Sequence, residues 1–100
     1  MTDKQLYVMI IERGKTYNKM TRAVVTRHVE NLRRLDEEGK LYLGGPLKGY
    51  PGVAGMVILN AESYEEAEEL CKREPLVAEG FAKYKLSILS VADKDNDYLL

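Results

Sequence analysis

The chain has 100 residues, 45% of them apolar and 31% charged, and a formal net charge of −1. That length is one domain with a single, modest core. The near-zero charge excludes a global field for nucleic acid or an anionic membrane, and the ordinary composition excludes a fibrous or disordered chain.

Charge is unevenly spread. Residues 1–50 hold ten Lys/Arg against six Asp/Glu, whereas residues 51–100 hold five against ten. Both runs read as solvated helix faces, although the basic half could also attract an anionic small molecule. The single cysteine excludes an internal disulfide framework and a thiolate metal cluster, and points to the reducing cytosol. The apolar run near the N-terminus is too short for a signal core or a membrane span. A cytoplasmic protein is therefore expected.

In chain order, QLYVMIIE (Gln5–Glu12) is rich in Val, Ile and Tyr and predicts a strand. Leu6, Val8 and Ile10 alternate with Tyr7, Met9 and Ile11, so both its faces are apolar and both need cover. RGKTYNK is a loop. From Thr21 to Glu38, Val24, Val25, Val29, Leu32 and Leu35 recur at helical spacing, and Gly39 supplies a stop. KLYLGG is a short strand, and the Pro/Gly-rich PLKGYPG a turn. VAGMVIL is a buried strand. NAESYEEAEELCKRE opens a second helix, with Ser63 and Glu66 spaced as a capping box and Tyr64, Ala67, Leu70 and Cys71 facing inward. Pro75 interrupts that helix, LVAEG adds at most a turn, and FAKYKLSILSV is the last strand. ADKDNDYLL is a polar tail, giving a domain over residues 1–92 and a tail over 93–100.

The order β-α-β-β-α-β predicts an α+β, ferredoxin-like fold: a four-stranded antiparallel sheet with two helices on one face. The other, apolar face would then lie open, and face-to-face pairing of two copies as a homodimer is the simplest cover.

His28, the one histidine, follows Val24 and precedes Leu32 by four residues each and so faces the sheet. Position alone fits a core histidine held by one hydrogen bond. An acid/base role requires a carboxylate to fix its tautomer. One His and one Cys cannot build a zinc site. Asp93–Asp97 imitate the start of a calcium loop, yet Tyr98 stands where its glycine belongs. The glycines of GGPLKG lack the Lys-Ser/Thr of a phosphate loop. No metal and no cofactor are expected, and no haem motif is present. Cys71 reads as a buried, inert thiol. Tyr7, Tyr42 and Tyr84 lie on strands, where tyrosine packs well, or else in a cleft where they would bind a ring.

Taken together, LYVMII, His28 with LRRL and EEGKLYLGGPL, GMVIL from Gly55, SYEEAEEL, REPLVAEG and YKLSIL resemble the YciI-like (YCII-related) family over residues 5–91. The resemblance implies a ferredoxin-like subunit of a dimeric α/β barrel. It further implies an acid/base dyad of a helix-1 histidine and an aspartate before the proline of a D-P-x-x-x-x-G segment. His28, Pro75 and Gly80 match, while Glu74 stands in the aspartate's place. Gly45-Pro46 match the turn after strand 2. One family member is similar to a lyase that removes hydrogen chloride from a chlorinated hydroxyquinol, and muconolactone isomerases share the barrel.

The expectation is a small dimeric protein doing cofactor-independent isomerisation or elimination on a small phenolic or anionic substrate, without nucleic acid or membrane partners. His28 and Glu74 would be catalytic; Tyr7, Tyr42, Tyr84, Gly45 and Pro46 would bind substrate. Oxyanion support would come from tyrosines or from the amides of Gly44-Gly45. The alternative is a non-catalytic ligand-binding or accessory protein with a relict cleft.

Overall fold

Alternating side chains along β1 (Gln5–Arg13) send Tyr7, Met9 and Ile11 to one side of the sheet and Leu6, Val8 and Ile10 to the other. The computed structural model describes residues 4–100. In it β1 is followed by α1 (Arg22–Glu37), β2 (Leu41–Pro46), β3 (Val53–Leu59), α2 (Tyr64–Arg73), the one-turn α3 (Pro75–Ala78) and β4 (Ala82–Ser90). The strands form one sheet in the order β2-β3-β1-β4, each neighbouring pair antiparallel. This is the ferredoxin-like α+β arrangement, with α1 and α2 packed over one face.

Register shows which residues share that face. Met9 stands opposite Val57 on one side and Leu86 on the other, and Tyr7 stands between Leu59 and Ile88. These rows meet Val24 and Leu35 of α1, Ala67, Leu70 and Cys71 of α2 and Leu76 of α3 in the core. Side chains removed from water there supply most of the stability, at about 25 cal/mol per Å² of apolar area. The opposite face carries the row Leu43, Ile58, Val8, Ser87 and the row Gly45, Met56, Ile10, Lys85. On it Leu6 and Ile58 are buried within the chain, while Leu43 and Leu89 are exposed.

Helix ends follow local chemistry. Thr21 caps α1 by accepting from Val24 N–H. At the other end Gly39 takes φ +74°, so Gly39 N–H reaches Asp36 O and Lys40 N–H reaches Leu35 O. That pair of bonds is a Schellman closure, which favours glycine. Ser63 caps α2 by accepting from Glu66 N–H, but Glu66 Oε1 accepts from Glu62 N–H and not from that of Ser63. The capping box therefore closes one residue earlier than its usual form.

One reading of the chain needs correction. Val25 and Val29 are 42% and 44% exposed. The line of α1 that meets the sheet and α3 runs through Val24, His28, Asn31 and Leu35, and a turn of about 100° per residue puts the two valines on its flank. Asn31 is buried in their stead, its Oδ1 accepting from Arg34 Nη2 at 2.6 Å. The C-terminal tail is polar and mostly exposed, with local hydrogen bonds of its own. Lys94–Leu99 form short turns broken by non-helical backbone at Asn96, Asp97 and Tyr98 and capped by Asp93, whose Oδ1 accepts from Asp95 and Asn96 N–H while Asn96 Oδ1 accepts from Asp93 N–H. No helix among the described residues is long and apolar enough to cross a membrane.

Candidate active site

The site begins with a proline. Pro75 has no N–H to continue α2, and its ring pushes the residue before it out of helical conformation. Glu74 accordingly sits at φ −59°, ψ 125°, between α2 and α3. From there its side chain turns back as the N-cap of α3, Oε2 accepting from Leu76 N–H at 2.7 Å. Its other oxygen, Oε1, is hydrogen-bonded to His28 Nδ1.

Glu74 is 2% exposed. A buried carboxyl group is tolerated only when its oxygens are paired, and here each has a hydrogen-bond partner. An ionised carboxylate has no proton to give. Beside an ionised Glu74, Nδ1 is the nitrogen that donates, and a neutral ring then keeps its lone pair at Nε2. His28 is only part-buried, its side chain 21% exposed.

A second contact braces the same junction. Arg27, next to His28, makes a two-pronged bond with Glu79, just past α3: Nε to Oε2 at 2.9 Å and Nη2 to Oε1 at 2.6 Å. Hydrogen bonding to Glu79 raises the Arg27 pKa, and the reciprocal bond lowers that of Glu79. The pair lies in solvent, so its value is geometric more than energetic.

Beside His28 opens a cavity of about 280 Å³. α1 contributes His28 and Leu32, α3 Leu76 and β1 Ile11; the hairpin β2–β3 provides Leu41, Gly44, Gly45, Pro46 and Ala54 through Val57. Glycine at 55 is a steric need: a Cβ there would lie 2.8 Å from Gly45 O and 3.2 Å from Pro46 Cα. Glu74 is absent from the wall. It reaches the cavity only through the imidazole.

Of the residues singled out from sequence, His28 and Glu74 meet, and Gly45 and Pro46 line the cavity. Tyr7, Tyr42 and Tyr84 do not line it. Tyr7 is a core residue, packed edge-on to Tyr64 with ring centres 6.5 Å apart. Tyr42 lies exposed with Lys4 Nζ 5.0 Å from its ring centre. Tyr84 faces the helix side of β4, and burial, followed by Glu68, raises its phenol pKa. Alternation along a strand says which residues share a face, not which part of that face a helix leaves uncovered. The tyrosine that does line the cavity is Tyr17, from the 3-10 turn before α1. Only its place in a loop just ahead of the histidine helix marked it.

Cys71 is fully buried, and burial, with Glu68 and Glu74 adding to it, pushes its thiol up to about 12. Such a thiol is a packing group. No cluster of three or more His, Cys, Asp or Glu side chains among the described residues is arranged to hold a metal ion.

The YCII-related domain matches residues 5–89, which spans β1 through nearly all of β4. The chain belongs to the YCII-related family. A relative of this YCII-related chain, the uncharacterized protein YjpA of Bacillus subtilis (strain 168), is 36% identical over 74 residues, 74% of this chain and 81% of YjpA. Among solved structures, this YCII-related chain is similar to 5-chloro-2-hydroxyhydroquinone dehydrochlorinase (TftG) from Burkholderia phenoliruptrix AC1100, determined with 2,5-dihydroxybenzoquinone. The match has a TM-score of 0.71 at 19% identity and covers 92% of this chain and 99% of that one. At that identity the likeness establishes the shared fold.

Proposed function

We propose that this protein is a small enzyme performing cofactor-independent acid/base chemistry, isomerisation or elimination, on a small phenolic substrate. Neutral His28 takes the proton at Nε2, and Glu74 holds the ring through Nδ1–H. The observation that carries this reading is Glu74, hydrogen-bonded at both oxygens behind a histidine that borders a cavity. A base must be oriented before it can be efficient, and general acid/base catalysis of this kind is worth about 10²–10⁴-fold.

Elimination of hydrogen chloride from a ring, the reaction named for TftG, begins with loss of a proton and suits a single oriented base. Negative charge arising on a ring oxygen needs a donor, for which the Gly44 and Gly45 backbone of the cavity wall is a candidate. Chloride release from 5-chloro-2-hydroxyhydroquinone tests the reading. Wild type should turn over, and His28→Gln should lose about 100-fold or more. Equal rates would overturn the role of His28; no turnover by wild type would remove this substrate class.

The same proposal includes a homodimer through the sheet face that the helices leave uncovered. Half-buried Val8, Ile10 and Met56 lie there with exposed Leu43 and Leu89. An apolar surface of this kind favours self-association, and a two-fold pair is the simplest closed solution. Light scattering at micromolar concentration should give twice the 11.4 kDa chain mass. A monomer under those conditions would end the claim.

A further inference from the structure

The cavity beside His28 is nearly all aliphatic and main-chain in character. Among the described residues that line it, only His28 and Tyr17 bring a side-chain nitrogen or oxygen. Among the described residues no lysine or arginine is part of the lining, the Arg13 guanidinium lying 5.7 Å from the Tyr17 ring centre. A carboxylate or phosphate entering such a space would shed its hydration without gaining a fixed cation, which is costly in a low-dielectric site. A volume of about 280 Å³ also falls just below the usual span for drug-sized ligands, which leaves room for a single ring.

Tyr17 is held as a positioned group would be. Its N–H donates to Gly14 O at 3.2 Å, and Gly14 N–H donates in turn to Phe81 O at 2.9 Å. Gly14 can approach β4 that closely because a Cβ there would stand 2.7 Å from Phe81 O. Thr16 Oγ1 adds a long bond to Gly80 O at 3.5 Å, and the Arg13 guanidinium lies 5.7 Å from the Tyr17 ring centre. The loop is thus tied to the strand start that follows α3. The Tyr17 hydroxyl itself forms no hydrogen bond among the described residues.

We propose that Tyr17 is the substrate-orienting donor of this site, giving its O–H to one oxygen of a compact, uncharged ring that carries at least two oxygen substituents. A second substituent, or the proton to be removed, then faces His28. The inference rests on the reading of His28 as the base and adds to it both a residue and a substrate class. It also narrows that class: neutral phenols fit the wall, anions do not.

Binding to the full chain, followed by NMR titration at pH 8, tests it with three probes. Hydroquinone and 1,4-dimethylbenzene share a ring and a size but differ in their hydroxyls, and benzoate adds a charge. Tyr17→Phe should weaken hydroquinone by about 5- to 10-fold, the loss expected for one neutral hydrogen bond, and leave 1,4-dimethylbenzene unchanged. Benzoate should bind wild type at least about tenfold more weakly than hydroquinone.

Equal hydroquinone affinity in Tyr17→Phe would overturn the inference. So would equal weakening of both neutral probes, the mark of a merely structural tyrosine, or benzoate binding the tightest. Failure of hydroquinone to perturb cavity resonances would do the same. The tautomer of His28, measured without ligand, is independent of all these results: it can sink the base reading while the Tyr17 bond stands, and the reverse.

Discussion

His28 and Glu74 lie 46 residues apart in the chain and share a hydrogen bond between Nδ1 and Oε1. The carboxylate is bound on its far side by Leu76 N–H, so one side chain serves both as helix cap and as brace for the imidazole. A glutamate cap at the start of a one-turn helix costs little beyond its burial and fixes the ring's orientation. Fold and site are joined at this residue.

Gly55→Ala should damage both. The added methyl would stand 2.8 Å from Gly45 O, a main-chain atom that cannot rotate away. Strands β2 and β3 must then part, at a cost of about 1–3 kcal/mol. Urea denaturation should show the loss, and cavity-lining resonances around Gly45 and Met56 should move more than those of α2.

Asn31→Leu should do the opposite. The Asn31 amide nitrogen is buried and has no hydrogen-bond partner among the described residues. An unpaired buried donor costs roughly 1–3 kcal/mol, and an apolar side chain of similar size removes that cost. Arg34 loses one acceptor but is itself exposed. A gain of about 1 kcal/mol in urea stability is expected, and a loss of that size would contradict the account of this position.

The bridge from Arg27 to Glu79 has a defined pH dependence. The guanidinium holds the Glu79 carboxyl below its ordinary value of 4.5. A lowered carboxyl pKa stabilises the folded state above the unfolded value, and that contribution fades as pH falls through the folded one. The stability difference between wild type and Glu79→Gln should therefore shrink steadily below pH 4.5 and be flat from pH 6 to 8. A difference that grew on acidification would carry the wrong sign.

Much of the architecture was legible in the residues. Two-faced apolar alternation marked β1 as a strand, and Gly39 and Ser63 marked helix ends by chemistry that acts within four residues. The candidate site was less so. Helical spacing turned His28 toward the sheet but had no means of bringing Glu74 to it, because that meeting depends on Pro75 redirecting the chain after α2. Resemblance to a family pointed to Glu74; the fold explains why a carboxylate is useful there. Tyr17 escaped notice because loop residues carry no periodicity, whereas Tyr7, Tyr42 and Tyr84 drew attention by lying on strands. Val25 and Val29 show a further limit. Hydropathy marked both as inward, yet Asn31, on the line of α1 that faces inward, is buried with its Oδ1 bonded to Arg34.

The central claim is that Glu74 fixes the proton of the neutral imidazole on Nδ1 and leaves Nε2 free to act. Long-range ¹H–¹⁵N spectra of His28 report this directly, since protonated and unprotonated ring nitrogens resonate far apart. The account predicts an Nδ1–H ring in wild type and a shift toward Nε2–H in Glu74→Ala. An Nε2–H ring in wild type, or identical spectra in the two proteins, would contradict it.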